Sequence, residues 1–541
     1  MAPCLWRCIS LLALAAGVAA LSGPARLITW PAIAGLVTSA GADTDNKLST
    51  EFAISCAGVC PAVDVLRWYE TRIQASAARQ AAVSAAVATV SGVRVSVRAR
   101  SASVVPLPST NESYSLTCAR EEANGTTVLC AVSAEETVGA LRGLETLAHL
   151  AHAGPLPLPL SFTDAPRYPY RGLLVDSARS FLPVSSLKRM LDGMSTAKLN
   201  VLHWHLTDME SFPIVSQRYP ELSAKGAFAP SLVYTAADLR EVVSYAASRG
   251  IRVVPEIDMP GHSSFGKGIP NITIPECYGW LDPTNDETYV VIAAFLREIV
   301  DIFPDPYLAL GGDEVSFAGA ATARKNWLAA HNMTADGLLP YFWRRVAAEV
   351  LPQLNRTLYV WGNDDLHNLD PAIVPPGTVF NLFTRLNSTL RATARRGVPG
   401  ILSAPYYLDQ TQSYLALHSD EEYPASLAAC GERAGHISDI WRCFYSASPT
   451  DGFAEDEEHL AKNTSLVLGG EACIWGEATS SFTIEAQSLT GASAVGERLW
   501  SGGAAPPNRS SEAAPRLAAH VCLMNTLGLS AAPIEPGYCL V

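Results

Sequence analysis

From Tyr168 onward the chain alternates short apolar runs with amphipathic stretches, and this alternation constrains the fold more than any other feature. Eight runs have strand length: 172–176, 200–206, 251–257, 307–310, 358–361, 379–383, 400–404 and 466–473. Most are apolar throughout, the pattern of parallel strands covered on both faces. Between them lie helical spacings, such as Leu187, Met190, Leu191 and Met194, or Ile292, Phe295, Leu296 and Ile299. Eight strand–helix units predict an α/β fold, a (β/α)8 TIM barrel with insertions. An open doubly wound sheet is the competitor, but no Gly-x-Gly-x-x-Gly turn follows the first strand.

Upstream the pattern differs. Val93 to Val97 alternates as a half-buried strand should, and 66–88 and 137–151 read as helices. A Pro-rich linker, Gly154 to Pro159, closes this part. The expected organisation is a signal peptide at 1–21, a small α/β N-terminal domain at 22–167 and a catalytic barrel at 168–541. The signal is Arg7 followed by the apolar run Ile9 to Leu21, with small residues near Ala19-Ala20. A second apolar stretch, 27–42, is broken by Pro31 and Gly35 and reads as strand and loop. A membrane-anchored form would require the N-terminal segment to be retained. Eight Asn-x-Ser/Thr sequons, at Asn111, Asn124, Asn271, Asn332, Asn355, Asn387, Asn463 and Asn508, fit a glycosylating secretory route. Of 12 cysteines, Cys4 and Cys8 leave with the signal, and the even remainder suits disulfides. Cys118/Cys130, Cys430/Cys443 and Cys522/Cys539 are candidate pairs. Cys56 and Cys60 pair together or elsewhere, and Cys277 and Cys473 are left open. A net charge of −13 without a basic tract argues against nucleic acid as a partner.

Barrel chemistry sits at the carboxyl ends of the strands. The fourth run ends in Gly311-Gly312-Asp313-Glu314, two glycines that admit a close ligand and two adjacent carboxyls. Around the other ends lie His203, His205 and Asp208; Glu256, Asp258 and His262; Trp361 and Asp364; Tyr406, Tyr407 and Asp409; and Trp475 and Glu477. Arg171 stands at the start of the first run. Aromatics with acids suit a sugar, because rings cover its apolar faces and carboxylates accept from its hydroxyls. The blander alternatives are that Arg171 pairs with a barrel acid, that Trp204 packs in the core, and that His203 and His205 are satisfied core or rim residues. Three functions fit: a glycosidase using Asp313 and Glu314, a metal-dependent hydrolase using His203-x-His205, and a carbohydrate-binding barrel without turnover.

The chain resembles the family 20 glycoside hydrolases, specifically the lysosomal-type β-N-acetylhexosaminidases. Seven segments in order carry the resemblance: Arg171 to Asp176, Asn200 to Asp208, Pro260-Gly-His262, Leu310 to Val315, Ala404 to Asp409, Gly470 to Glu477, and Ala494 to Trp500. The family's small first domain is matched by Gly143-Leu-Glu-Thr146. The resemblance implies an exo-enzyme that removes terminal β-linked GlcNAc or GalNAc without a cofactor. The substrate's own acetamido oxygen would serve as nucleophile, an exception to the two-carboxylate scheme. It implies Glu314 as acid/base and Asp313 as the acceptor that holds the acetamido N–H. Arg171 is expected to bind hydroxyls at C3 and C4, and Glu477 those at C4 and C6. Trp361 and Trp475 would wall the pocket, and Tyr407 would donate to the acetamido oxygen. Asp208 would contact the hydroxyls or a loop that does, Asp409 would bind substrate, and His262 would tune Glu314. Glu497 and Arg498 are expected to form a structural pair. A homodimer and a lysosome-like or extracellular destination follow from the resemblance alone.

Departures accompany these matches. Met209 follows Asp208 where relatives carry a second Asp, and Phe383 replaces a pocket Trp. Gln410 stands where some relatives have an Arg that receives anionic sugars, which predicts neutral over 6-sulfated substrates. The cysteine usual after the Gly-Gly-Asp-Glu segment is missing, so Cys277 lacks its family partner.

Overall fold

The protein's structure, a computed structural model, describes residues 43–46, 52–56, 60–83, 92–98, 106–121, 127–153, 156–362, 373–383, 393–394, 396–409, 440–450, 464–501, 510–537 and 539. The signal segment, the 27–42 stretch, Asp364, Gln410, Cys430 and the sequons at Asn124, Asn387, Asn463 and Asn508 lie outside them.

Eight parallel strands close into a barrel in chain order. They are Tyr170–Asp176, Val201–Thr207, Arg252–Ile257, Tyr307–Ala309, Thr357–Gly362, Val379–Leu382, Gly400–Leu402 and Val467–Ile474. The last pairs with the first, with Gly469 opposite Tyr170 and Ile474 opposite Val175. The expected TIM barrel is therefore present, with boundaries within a few residues of the apolar runs.

Strand periodicity separates two environments. On the first two strands Leu173, Val175, Leu202, Trp204 and Leu206 face the outer helices and join the large core. Trp204, buried there, donates its indole N–H to Ser177 at 2.9 Å. Facing the axis at its lower end are Tyr170, Val201, Val254, Ala309, Tyr359, Val379 and Ile401. Higher up, Leu174, Trp361 and Cys473 meet Phe383, Tyr407 and Trp475. Polar side chains fill the level between.

Ahead of the barrel, a five-stranded sheet runs in the order Phe52–Cys56, Gly92–Arg98, Thr127–Ala134, Tyr114–Arg120, Leu160–Asp164. Helices Val63–Val83 and Thr137–Ala153 accompany it. The second helix is buried from Val138 to Ala151, because it has sheet on one side and the barrel's closed end on the other. Here Arg142 reaches across to the carbonyls of Arg249 and Gly250. Disulfides join Cys56 to Cys60, Cys118 to Cys130 and Cys522 to Cys539. Cys277, Cys443 and Cys473 are buried. Glu497 pairs with Arg516 at 2.6 Å, while Arg498 donates to the Ala447 carbonyl at 3.0 Å. Among the described residues no helix is long and apolar enough to cross a membrane.

Candidate active site

The barrel mouth is built on backbone that few sequences tolerate. Gly311 and Gly312 have φ of +69° and +95°, and a Cβ on Gly311 would lie 1.8 Å from an Asp258 oxygen. Only glycine fits there. Glu314 follows with φ +53°, a strained setting of the kind found at functional sites. The turn separates two adjacent carboxyls into unlike surroundings. The Glu314 side chain is 69% exposed, with Oε2 3.4 Å from His262 Nε2, and that contact holds its carboxyl below the usual range. Asp313 is withdrawn, and burial pushes its carboxyl up to about 6. Its Oδ1 is buried and accepts no hydrogen bond among the described residues.

Beneath Glu314 a ladder of imidazoles and carboxylates descends the barrel axis. His262 Nδ1 is 3.3 Å from Asp208 Oδ1, and Asp208 Oδ2 is 3.0 Å from His205 Nε2. His205 Nδ1 lies 2.6 Å from Glu256, whose same oxygen is 3.0 Å from His203 Nε2. His203 Nδ1 then meets Glu471 at 2.9 Å. Desolvation opposes charge on each imidazole, yet the flanking carboxylates win. His203 is pushed up to about 9, His262 to about 12, and His205 well above its ordinary value. Reciprocally, Asp208 and Glu256 are held below the usual carboxylate range, although burial alone would raise them. His203 and His205 thus have both ring nitrogens set against carboxylates.

Aromatic side chains pack against this ladder, with Trp475 5.2 Å from His205 and Trp361 5.8 Å from His203. The Trp361 and Trp475 rings are 5.8 Å apart at 43°, Phe383 stands edge-on to Trp361 at 5.8 Å, and Tyr407 is 6.2 Å from Trp475. Trp361 is fixed by its indole N–H, which donates to Glu256 at 2.7 Å. Burial raises the Tyr407 hydroxyl well above its ordinary value, so it stays a donor. Asp409 and Glu477 are exposed at the rim.

Two expectations need correction. Arg171 does not reach the mouth. As second residue of the first strand it shares outward parity with Leu173 and Val175, at the closed end of the barrel. There it is fully buried, 2.6 Å from Glu112 of the first domain, and donates to the carbonyls of Lys198 and Tyr168. The guanidinium at the mouth is Arg179, just past the carboxyl end of that strand. It lies 2.6 Å from Asp208, 3.2 Å from Asp176 and Glu210, and 4.0 Å from Glu477, with its charge 5.2 Å above Trp475. The strand-end rule could have found it. Asp208, second, is not open to a ligand: it is fully buried, and Arg179, His205, His262 and the Met209 N–H occupy its two oxygens. It can act only through Arg179 and His262.

Comparisons with known proteins agree with this fold. The family described as "Glycosyl hydrolase family 20, catalytic domain" matches residues 168–503. The chain is 36% identical to beta-hexosaminidase subunit beta of Mus musculus over 80% of this chain and 77% of that protein. Against the Homo sapiens subunit beta the identity is 35%, over 80% and 74%. Among solved structures, Flavobacterium johnsoniae chitobiase superimposes with a TM-score of 0.73 at 24% identity, covering 93% of this chain and 73% of that one. The β-N-acetylhexosaminidase of Streptomyces coelicolor gives 0.66 at 22%, covering 95% and 99%. These likenesses support the fold, and the sequence matches go further: the chain belongs to glycosyl hydrolase family 20.

Proposed function

We propose that this exo-β-N-acetylhexosaminidase cleaves terminal non-reducing GlcNAc and GalNAc by using the sugar's acetamido oxygen as nucleophile. The observation that carries the mechanism is Asp313: a buried carboxylate oxygen that no donor reaches among the described residues, near enough to Tyr407 of the aromatic box for its charge to raise that hydroxyl's pKa. An acetamido N–H would supply that donor and turn the carbonyl oxygen toward the anomeric carbon. Tyr407 would donate to the same carbonyl, and Trp361, Phe383 and Trp475 would enclose the methyl group and the ring face.

In the first step the carbonyl oxygen bonds to the anomeric carbon as the glycosidic C–O bond breaks. Glu314 gives its proton to the departing oxygen, and Asp313 stabilises the positive charge that develops on the oxazolinium ring. In the second step Glu314 takes a proton from water, which opens the ring with net retention. A bound sugar removes water from around Glu314, and that desolvation raises the carboxyl's pKa toward a working acid. Arg179, with Glu477, would grip the sugar hydroxyls. Asp409 would contact the sugar from the rim.

Neutral substrates are proposed over 6-sulfated ones, on the strength of Gln410. The three disulfides among the described residues support an oxidising, secretory or lysosome-like setting. The sequon residues Asn111, Asn271, Asn332 and Asn355 are all exposed, as glycan carriers must be. A homodimer rests on family likeness alone. The deciding assay compares aryl β-GlcNAc with aryl β-glucoside. A large preference for the N-acetyl sugar is expected, and equal rates would remove acetamido participation.

A further inference from the structure

Downstream of His262 the chain forms a small hairpin whose tip is unusual. Strands Thr273–Ile274 and Trp280–Leu281 pair antiparallel. At the tip Tyr278 and Gly279 both have left-handed backbone, with φ of +56° and +76°. A tyrosine is disfavoured in that conformation. Its side chain is nevertheless 79% exposed, so burial is not what holds it there. The ring beside it is that of Trp280, 5.6 Å away at 41°.

The hairpin is seated against the acid/base pair. Leu281 N–H donates to the Pro260 carbonyl, two residues before His262. A Cβ on Gly261 would meet Val315 at 2.9 Å and the Trp280 ring at 3.4 Å, so Trp280 and Val315 converge on the residue preceding His262. Val315 in turn follows Glu314. On its other flank the hairpin abuts the loop after the fourth strand: a Cβ on Gly319 would fall 2.1 Å from the Glu276 carbonyl and 3.2 Å from the Cys277 sulfur. Trp280 is therefore wedged between the loops that carry His262 and Glu314, and Tyr278 stands outward beside it. The Trp361–Trp475–Tyr407 wall is built from the fifth, seventh and eighth strand ends. Trp280 also keeps a buried indole N–H that no group accepts among the described residues.

We propose that Tyr278, braced by Trp280, is the platform for the leaving-group sugar. This inference rests on the hexosaminidase reading and adds the aglycone side to it. Because Glu314 protonates the departing oxygen, the aglycone must leave on the side of Glu314, and among the described residues Tyr278 is the exposed ring that rests, through Trp280, on the loops carrying His262 and Glu314. A flat ring held outward in water matches the apolar face of a β-linked pyranose. The enzyme is accordingly built for an oligosaccharide with at least one sugar beyond the scissile bond.

The test uses two substrates of the whole enzyme. One is N,N′-diacetylchitobiose; the other is N-acetyl-β-glucosaminyl fluoride, whose leaving group is too small to reach the hairpin. Tyr278→Ala should lower kcat/KM for the disaccharide roughly tenfold and leave the fluoride within about twofold of wild type. Tyr278→Phe should retain the disaccharide rate, because stacking needs the ring and not the hydroxyl. Equal losses on both substrates would mean a disturbed catalytic loop and overturn the proposal. So would an unchanged disaccharide rate, or a Phe variant as poor as Ala. If the wild type cleaves neither substrate, the hexosaminidase reading fails first and carries this one with it.

Discussion

Asp313→Asn should make the protein more stable and inactive at once, with the stability gain confined to higher pH. In the folded chain burial lifts the Asp313 carboxyl from about 3.8 to about 6. The native state therefore holds the proton more tightly than the unfolded chain does. Its contribution to stability is complete below about pH 4 and is lost as the pH rises through about 6. At roughly 1.36 kcal/mol per pH unit, the ionised side chain costs on the order of 3 kcal/mol at neutral pH. Asparagine keeps the shape without the charge. Chemical denaturation of both proteins at about pH 4 and about pH 7.5 reads the difference directly. The variant should match wild type at the lower pH and exceed it at the higher, while hydrolysis of N-acetyl sugars collapses. Equal stabilities at both values, or a variant weaker at high pH, would refute the idea that Asp313 is a desolvated charge reserved for a substrate N–H.

Other perturbations separate the remaining roles. Arg171→Gln should destabilise by roughly 1–3 kcal/mol, since buried Glu112 loses one of its two guanidinium partners and keeps Arg142 at 2.7 Å, yet leave KM of the surviving fold unchanged; a raised KM would return Arg171 to the site. Arg179→Gln should instead lower kcat/KM by about 10- to 100-fold through lost hydrogen bonds to the sugar, and an unaffected enzyme would remove it. Glu314→Gln should slow disaccharide hydrolysis roughly 10²–10⁴-fold, with a smaller loss on substrates whose leaving groups need no proton. His262→Gln removes the cation that holds Glu314's carboxyl down, so the basic limb of the kcat/KM pH profile should move to higher pH. An unmoved limb would detach His262 from the acid. Chelator should leave activity intact, because the axial histidines are engaged by carboxylates.

The barrel was legible because burial on both faces writes a continuous apolar run, which period and length then distinguish from helix. The strand-end rule led to Asp313, Glu314, His262, Trp361, Tyr407 and Trp475, and the structure brings these together. The rule failed where it was not applied. Arg171 opens its strand, and period-2 parity sends it outward to the first domain, whereas Arg179 stands just past the strand's end. Nor could the sequence reveal that Asp208, Glu256 and Glu471 interleave with three histidines. Those residues come from different strands, and only closure of the barrel aligns them. Glu497 likewise takes its partner, Arg516, from another helix, where adjacency in sequence had suggested Arg498.

The most direct measurement is a series of aryl glycosides whose N-acetyl group carries zero, one, two and three fluorines. Each fluorine drains electron density from the carbonyl oxygen without altering the leaving group. A steep, progressive fall in kcat/KM across the series is predicted if that oxygen attacks the anomeric carbon. A flat series, or a glycosyl ester found by mass spectrometry on a carboxylate of this chain, would contradict it.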